Sequence, residues 1–504
     1  MTVYNGISKT LDAAIGLFSP RKALDRKICR DQLSILDKRS SQYAAAKTGR
    51  LTGSWSPVDS NVNDIIGNSS ANVRARIRQL VRDFPYFARA VNIIGNYVVG
   101  EGIIFQSKVK TPAGDLNNDL ITKIEDSFSW WADEADFSRK LHYYEMMHLA
   151  QRQIIECGEF LMVKKISNDK RRYLPFALQL YEPEWLTEIG ANPSSKLNEI
   201  NQGIEFNKKT GEVVAYHFTD PDSWGKTQRI KAENVVHKFK TLRPGQLRGI
   251  SDFTSGVLLA HDLSDYMTTE LDTAKMAAKY LAFIKTPDIY SRQAGMTTND
   301  DNQKIDEMEN AITEYLRPGE DITIATNPRP GTNFPPFVKL ILTMLAISTD
   351  VPYELLSGDY SGLNYSTMRV CRNDYAFQLL TKQAALIRHF GKETQQPEMD
   401  WAVLSGVLDI PDYFSHRRQY LAAEWQPPGM ESIDPLRETK ARIDEMGALI
   451  RSPQEIARSR GRDLEDIYRE ISAAKKMAEK YDIAPEEIET ALANNPDKII
   501  GDDK

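Results

Sequence analysis

The chain has 504 residues, of which 41% are hydrophobic and 27% charged, with a formal net charge of −6. This length predicts about two to four domains. The acidic balance disfavours a tight nucleic-acid binder, which is usually strongly basic, and the absence of any run of about 18 apolar residues predicts no transmembrane helix.

Charge and cysteine placement add two observations. Residues 1–50 hold ten Lys and Arg against four Asp and Glu, whereas residues 431–504 hold thirteen against eighteen. Two interpretations remain open: solvated termini, or a basic arm that touches an acidic neighbour or nucleic acid, with an acidic helical cap at the other end. The three cysteines, Cys29, Cys157 and Cys371, are far apart in the sequence, which predicts a reducing compartment.

The first half of the chain indicates an α+β region. Residues 1–71 resemble an arm or linker because their end is rich in Ser, Asn, Gly and Pro. Helical spacing predicts a helix over 72–94, broken at Pro85, and another over 117–156. Short β segments then alternate with turn chemistry such as KKTGE as far as residue 240, which predicts a substantial antiparallel sheet.

The second half predicts long helices. Residues 251–285 step by threes and fours, so one helix of roughly 40–50 Å is expected before Pro287. A polar insert follows, with a helix near 301–316 and a short strand, DITIAT. Residues 337–349 are apolar nearly all round, which is typical of a helix buried on every side. After a polar loop, a helix from Ser366 to Phe390 is predicted to end at Gly391, and a charged helical tail begins at Ser432.

The tests for chemistry give no catalytic constellation. SWGKT at 223–227 lacks the earlier glycine of a phosphate-binding loop, because position 220 is Asp, and a hairpin turn is favoured. None of the seven histidines belongs to HExxH or to a Cys/His ligand set, and GxSxG does not occur. We therefore predict no catalytic residue, no metal site and no cofactor, while an enzyme remains an open alternative.

Two stretches have the most distinctive arrangement: RPGQLRGIS at 243–251 and VPYELLSGDYSGLNYSTMR at 351–369. Together they resemble the lambda-type portal proteins of tailed bacteriophages. Supporting stretches lie in the expected order, from RDFPYFARAVNIIGNYVVGEGI near the beginning to the tail around residues 424–468, so that the likeness spans about 72–475. Two departures are visible: Asp350 stands where the family commonly has glycine, and Met368 where a small residue is more usual.

The resemblance implies an α+β portal fold and a ring, commonly of twelve subunits, at one vertex of the capsid. Double-stranded DNA would be packaged through its channel and later ejected. Implied partners are further copies of the chain, the terminase large subunit, major capsid and scaffolding proteins and a head–tail adaptor, with no membrane and no cofactor. The ring would lie in the virion after assembly in the host cytoplasm. The alternatives are a DNA-processing enzyme of the packaging machinery, such as a nuclease or terminase component, and a scaffold or adaptor that forms no ring.

The same resemblance divides the chain into parts. The expected parts are an N-terminal arm (1–71), an α/β wing (72–250), a first stem helix (251–286), a small clip (287–334), a second stem helix (335–352), a tunnel loop with the following helix and a return to the wing (353–430), and a helical crown (431–504).

The loop after the second stem helix is the expected channel-facing element. Gly358 and Gly362 would permit tight turns with positive φ, and either Ser366 or Asn364 could cap the next helix. Arg369 and Arg372 lie about one helical turn apart and could face phosphate or a neighbouring subunit's acid. A plain capped connector remains the alternative. The expected channel residues are Ser357, Gly358, Asp359, Tyr360, Ser361, Gly362, Asn364, Tyr365, Ser366, Arg369 and Arg372.

Overall fold

The computed structural model describes residues 59–111, 114, 116–219, 226–279, 282–285, 297–298, 304–305, 321–324, 334–429, 435–460, 462 and 464–480. Every element named below lies in the compact unit Val62–Lys504. The helices of its first half are α1 (Val62–Asp83), α2 (Pro85–Val98), α3 (Asn118–Ala132) and α4 (Tyr143–Cys157).

The helix boundaries in this half differ from the prediction at two places. Helix α1 begins at Val62 rather than near 72, because Val62 and Ile66 are already buried although the polar GNSSAN segment hides their spacing. The break at Pro85 is confirmed, since this proline opens α2. The single helix predicted over 117–156 is wrong, because His142 and Glu145 form a capping box that starts α4 separately.

Antiparallel strands form the sheets of this region. A three-stranded sheet has the order β3–β2–β8, and a four-stranded meander has the order β4–β5–β6–β7. The antiparallel character was predicted, whereas β4 and β7 were missed because they are short and polar. The strands are β1 (Ile104–Ser107), β2 (Glu159–Ile166), β3 (Phe176–Tyr181), β4 (Asn198–Asn201), β5 (Ile204–Asn207), β6 (Val213–Thr219), β7 (Thr227–Lys231) and β8 (Val235–Phe239).

Two hydrophobic cores stabilise these layers. The large core joins the four helices to one face of the three-stranded sheet, with the fully buried rings of Phe87, Trp131 and Tyr143 in it. The smaller core contains Leu161 and Phe218 and lies between the two sheets. The buried side of α3 is formed by Ile121, Ile124, Phe128 and Trp131.

A buried carboxylate joins the RPGQLRGIS stretch to the sheet. Glu159 accepts hydrogen bonds from Arg248 Nε (2.8 Å) and from the backbone N–H of Gly249 (2.7 Å), and it lies 3.0 Å from His237 Nε2. Although burial by itself raises the pKa of Glu159, the charge of Arg248 and the contact with His237 lower it to about 2. Arg248 also donates to the carbonyls of Pro183 and Gln202. We call this set of contacts the Glu159 junction.

The second half begins with a helix that is shorter than predicted. A 3-10 turn at Asp252–Gly256 leads into α5 (Val257–Lys279), and β9 (Ala282–Lys285) follows. The prediction of one helix as far as 285 is therefore wrong at its end, because β9 pairs with β12 (Asp321–Ile324). That pairing confirms the first four residues of the predicted DITIAT strand, and its last two lie outside the described residues. Strand β10 (Thr297–Thr298) pairs with β11 (Lys304–Ile305), which contradicts the helix near 301–316 at those residues, while the rest of that prediction lies outside the described residues.

The remaining elements are α6 (Phe334–Thr349), α7 (Tyr353–Ser357), α8 (Tyr365–Leu386), α9 (Lys392–Leu404), α10 (Arg417–Tyr420), β13 (Ala423–Gln426), α11 (Pro435–Gly447), α12 (Pro453–Ser459) and α13 (Leu464–Lys480). Helices α6 and α8 and the helices of the tail follow the predicted pattern, whereas α7, α9, α10 and β13 were not predicted. One predicted boundary also needs correction. Gly391 does not end the helix before it, because a π-helical turn at Ile387–Gly391 carries the chain directly into the next helix.

Candidate functional site

Helices α6 and α7 position the predicted tunnel loop. Helix α6 ends where Val351 N–H donates to the carbonyl of Ala346 (3.1 Å). Asp350 lies between α6 and α7 with a φ of 55°, in the left-handed region that favours glycine. This is the position at which the lambda-type pattern commonly has glycine, so the departure noted in the sequence has a backbone cost.

Gly358 turns the chain out of α7 as predicted. Its φ is 75°, and its N–H donates to the carbonyl of Glu354 (2.8 Å), which closes the short helix. Arg89 Nε of α2 donates to the Leu355 carbonyl at 2.6 Å and so ties α7 to the large core. The expectation of positive φ at Gly362 is wrong, and an added Cβ there would meet no atom within 4 Å.

Asp359 organises the loop interior. Its carboxylate accepts from the backbone N–H of Ser361 (3.1 Å) and from Ser361 Oγ (2.5 Å). The N–H of Asp359 donates to Ser357 Oγ (3.1 Å). The hydrogen bonds from Ser361, followed by the charge of Lys339, hold the pKa of Asp359 below its usual range. The loop is therefore a closed local network rather than a set of free polar groups.

Of the two capping residues proposed from the sequence, the structure uses Asn364. Its Oδ1 accepts from Thr367 N–H at 2.8 Å and from Thr367 Oγ1 at 2.9 Å, which starts α8. Ser366 lies exposed in the first turn and is not the N-cap. Tyr360 and Tyr365, which flank the cap, are also exposed.

The structure separates the two arginines of α8. Arg369 is exposed, whereas Arg372 is half-buried and lines a cleft of about 530 Å³ with Tyr97 and Gln383. Across that cleft lie the 427–429 segment and Arg458, which sequence reasoning did not connect with the loop. Within the described residues, neither Arg369 nor Arg372 forms an ion pair with a carboxylate.

Helix α6 carries a second feature, an uncovered apolar face. Leu342, Leu345 and Ala346 pack into the large core. The opposite side is exposed to solvent in this chain, and Ile347 reaches 73% exposure. The four large residues of this face recur at helical spacings of three and four, and we call them the α6 face: Phe337, Leu340, Met344 and Ile347.

The described residues offer little catalytic chemistry. Among them, no group of three or more His, Cys, Asp or Glu side chains could hold a metal ion. Burial raises the pKa of Cys157 to about 12, so its thiol is not poised as a nucleophile. SWGKT lies largely outside the described residues, and Thr227 begins β7. No described helix is both long and apolar enough to cross a lipid bilayer.

Comparison with known proteins gives a consistent family. The family model "Phage portal protein, lambda family" matches residues 48–383. The chain is 26% identical to a probable portal protein of Halomonas phage phiHAP-1, over 85% of each chain. It is 19% identical to portal protein B of Escherichia phage lambda, over 82% of this chain and 85% of the relative.

Two solved structures are similar to this chain, with low sequence identity and low TM-scores. One is the neck of a native gene transfer agent particle computed with C12 symmetry: 14% identity, TM-score 0.43, 76% of this chain and 91% of the other. The other is an HK97 family phage portal protein from Corynebacterium diphtheriae: 10% identity, TM-score 0.33, 72% and 98%. The assignment rests on the family model, which covers two thirds of the chain. The chain belongs to the lambda family of phage portal proteins.

Proposed function

We propose that copies of this chain close into a ring, commonly of twelve, at the unique vertex of the capsid, and that double-stranded DNA passes through the ring. The α6 face is the observation that carries this proposal. A soluble monomer rarely leaves a contiguous row of large apolar side chains in water. In a head-to-tail ring, one surface of each subunit packs against a different surface of its neighbour. When the ring closes, every copy of the apolar row is covered by a neighbouring subunit.

The tunnel-loop residues support a DNA-facing role for Arg369 rather than for the loop as a whole. Asp359 and Ser361 are satisfied by each other, so their groups are not displayed to a ligand. Arg369 is exposed and forms no ion pair with a described carboxylate. Each phosphate that a guanidinium neutralises adds salt-dependent affinity, and a few such contacts on an acidic chain allow DNA to slide.

We also propose which helices and strands form the wing, stem, clip and crown of the portal. The wing begins at Val62 rather than at residue 72, because α1 packs into the same core as the later wing helices. Strand β13 pairs with β1, which supports a return of the chain to the wing before the crown. The stem consists of α5 and α6, the clip of 280–333, and the crown of the helices that follow residue 434.

The remaining partners follow from this placement. The ring would dock the terminase large subunit during packaging, contact major capsid and scaffolding proteins at the vertex, and later hold a head–tail adaptor. It would be assembled in the host cytoplasm and kept in the virion. We assign it no catalytic activity of its own.

Electron microscopy of the purified full-length chain tests the ring directly. We expect closed rings with a central hole wide enough for a DNA duplex. A stable monomer with metal-dependent nuclease activity would contradict the proposal and favour the DNA-processing alternative.

The DNA-facing role needs a second experiment. Arg369→Ala together with Arg372→Ala should leave rings intact but reduce packaged DNA per capsid severalfold, mainly because the exposed Arg369 no longer contacts phosphate. The matched control removes two exposed cations from the β5–β6 turn, Lys208→Ala with Lys209→Ala, and should package normally. Normal packaging by the arginine variant would count against a DNA-facing role and favour a plain connector.

A further inference from the structure

The crown carries an unusual helix end at residues 447–450. Ile450 N–H donates to the Glu445 carbonyl (2.9 Å) and Leu449 N–H to the Met446 carbonyl (3.0 Å), which is the hydrogen-bond pattern of a Schellman motif. The residue at the turn of this motif is usually glycine, because its φ is positive. Here that residue is Leu449, with a φ of 56°.

This leucine is also unprotected from water. Leu449 is 92% exposed and Ile450 is 71% exposed. Gly447, only two residues earlier, shows that glycine occurs in this segment but not at the position that favours it. Leu449 carries two free-energy costs in an isolated chain: the strain of a positive φ and the exposure of an apolar side chain to water. A second surface that covered the side chain would offset the cost of exposure and give the strained backbone a role. We call residues 447–450 the crown knob.

A cleft of matching character lies elsewhere on the described chain. It encloses about 520 Å³ between α4, β8 and α8, with a largely apolar lining. Phe377 of α8 stands at this cleft with 74% of its surface exposed. Its other main apolar lining residues are Ile94, Ile154, Ile155, Phe239 and Phe253.

The charges around the two features are complementary. Lysines 238, 240 and 382 line the cleft, and two of them contact Asp252. Lys238 forms no ion pair with a described carboxylate; burial, and then the charge of Arg388, lower its pKa. Around the crown knob, residues 443–456 contain three acids and one base, Arg451, which itself pairs with Glu445 and Glu455. The knob segment is therefore apolar at its tip and acidic at its base.

We propose that the crown knob of one copy inserts into the α4–β8–α8 cleft of the next copy. Leu449 and Ile450 fill the apolar cleft, and the acids at the base of the knob meet Lys238 and its neighbours. A knob and a cleft on different parts of one chain make a head-to-tail contact, which is the kind that builds rings. This inference rests on the proposed ring and names one of the contacts that hold it.

Site-specific crosslinking tests the contact. Leu449→Cys combined with Gln378→Cys, whose side chain lines the cleft, should give a ladder of linked subunits with a short bismaleimide reagent. The matched control pairs Gln378→Cys with Leu436→Cys. Leu436 is an exposed leucine at the start of α11, the helix that ends at the crown knob. This pair should give no more linkage than either single variant. Rings that form but give no ladder above this control overturn the knob contact alone. Failure of the unmodified chain to form rings overturns the proposed function instead.

A substitution separates assembly from folding. Leu449→Gly relieves the positive φ, so the thermal midpoint of the isolated subunit should not fall. Ring assembly should nevertheless weaken by roughly tenfold, because the side chain that enters the cleft is gone. The control is Leu436→Ala rather than Leu436→Gly, because glycine would itself destabilise helix α11. Unchanged assembly of Leu449→Gly would contradict the proposal.

Discussion

The Glu159 junction and the α6 face are built in opposite ways. At the junction, a fully buried carboxylate is bonded by an arginine, a histidine and a backbone N–H of the same chain. On the α6 face, large apolar side chains are left in water. Charge placed inside without partners and apolar surface placed outside both cost free energy. The first cost is offset within one chain, whereas the second requires a neighbour.

The comparison teaches where to look for assembly. A region that is complete in one copy should respond to mutation through folding stability, and an incomplete region should respond through oligomerisation. Measuring subunit stability and ring formation on the same variants therefore distinguishes the two regions.

The largest expected effect is on assembly. Ile347→Asp places a charge on the most exposed residue of the α6 face, whose burial by a neighbouring copy would otherwise contribute about 1.5–3 kcal/mol. Because the same contact recurs around a ring, rings should be lost while the unfolding free energy of the subunit stays nearly unchanged. Analytical ultracentrifugation and urea unfolding give the two readouts.

The control for this variant is Asn234→Asp, which adds the same charge at an exposed turn of the wing. It should assemble normally. If Ile347→Asp destabilises the isolated subunit as strongly as a core substitution, the α6 face is part of the fold and the comparison fails.

The next effect is on folding. Arg248→Met leaves the Glu159 carboxylate buried without its main counter-charge, which should lower the unfolding free energy by about 3–5 kcal/mol. Glu159 has a depressed pKa, so the stabilisation it supplies is present above its ordinary pKa of 4.5 and is lost as pH falls towards 2. The penalty of the variant should therefore be smaller at pH 3 than at pH 7 in urea titrations.

A surface pair provides the control for Arg248→Met. Lys240 contacts Asp252 at 2.8 Å, but both side chains are substantially exposed. Lys240→Met should cost less than about 1 kcal/mol at either pH. Equal losses in the two variants would mean that burial adds nothing at the junction.

Glu398 is a buried carboxylate with incomplete hydrogen bonding. Glu398 is almost completely buried in α9, and its Oε1 has no hydrogen-bond partner among the described residues. Burial raises its pKa from 4.5 to about 8. The unfolded chain releases this proton first, so stability should decrease as pH rises from about 4.5 to 8 and then level off.

Glu398→Gln should remove most of that decrease. At pH 9 the variant is expected to be more stable than the unmodified chain by roughly 4 kcal/mol, and at pH 5 nearly equal to it. Glu393→Gln, on the same helix but half-exposed, keeps Glu398 and should therefore keep the decrease in stability. If the two variants have parallel stability curves, Glu398 is ionised in the folded chain at neutral pH.

The sequence predicted elements whose signals are local. Spacing placed α6, and side-chain chemistry offered Ser366 or Asn364 as the next cap, of which the structure uses Asn364. Two predictions failed where a second signal overlapped the helical pattern. The capping box at His142 lay inside a continuous helical pattern, so the start of α4 was missed. The end of α5 was missed because β9 forms only by pairing with a strand almost 40 residues later. The α6 face was expected to be buried from its composition, yet which of its sides needs a neighbour depends on how α6 packs in the folded chain.

The smallest expected effect lies at Asp350, between α6 and the tunnel loop. Asp350 has a φ of 55°, which costs a residue with a Cβ about 1 kcal/mol relative to glycine. Asp350→Gly should therefore raise the unfolding free energy by up to about 1 kcal/mol, less the greater entropy that glycine gives the unfolded chain. Asp350→Ala separates the backbone from the carboxylate, because alanine keeps the Cβ and should give no gain. If alanine stabilises the chain as much as glycine does, the carboxylate rather than the backbone is unfavourable there, and the departure from the family pattern is electrostatic in origin.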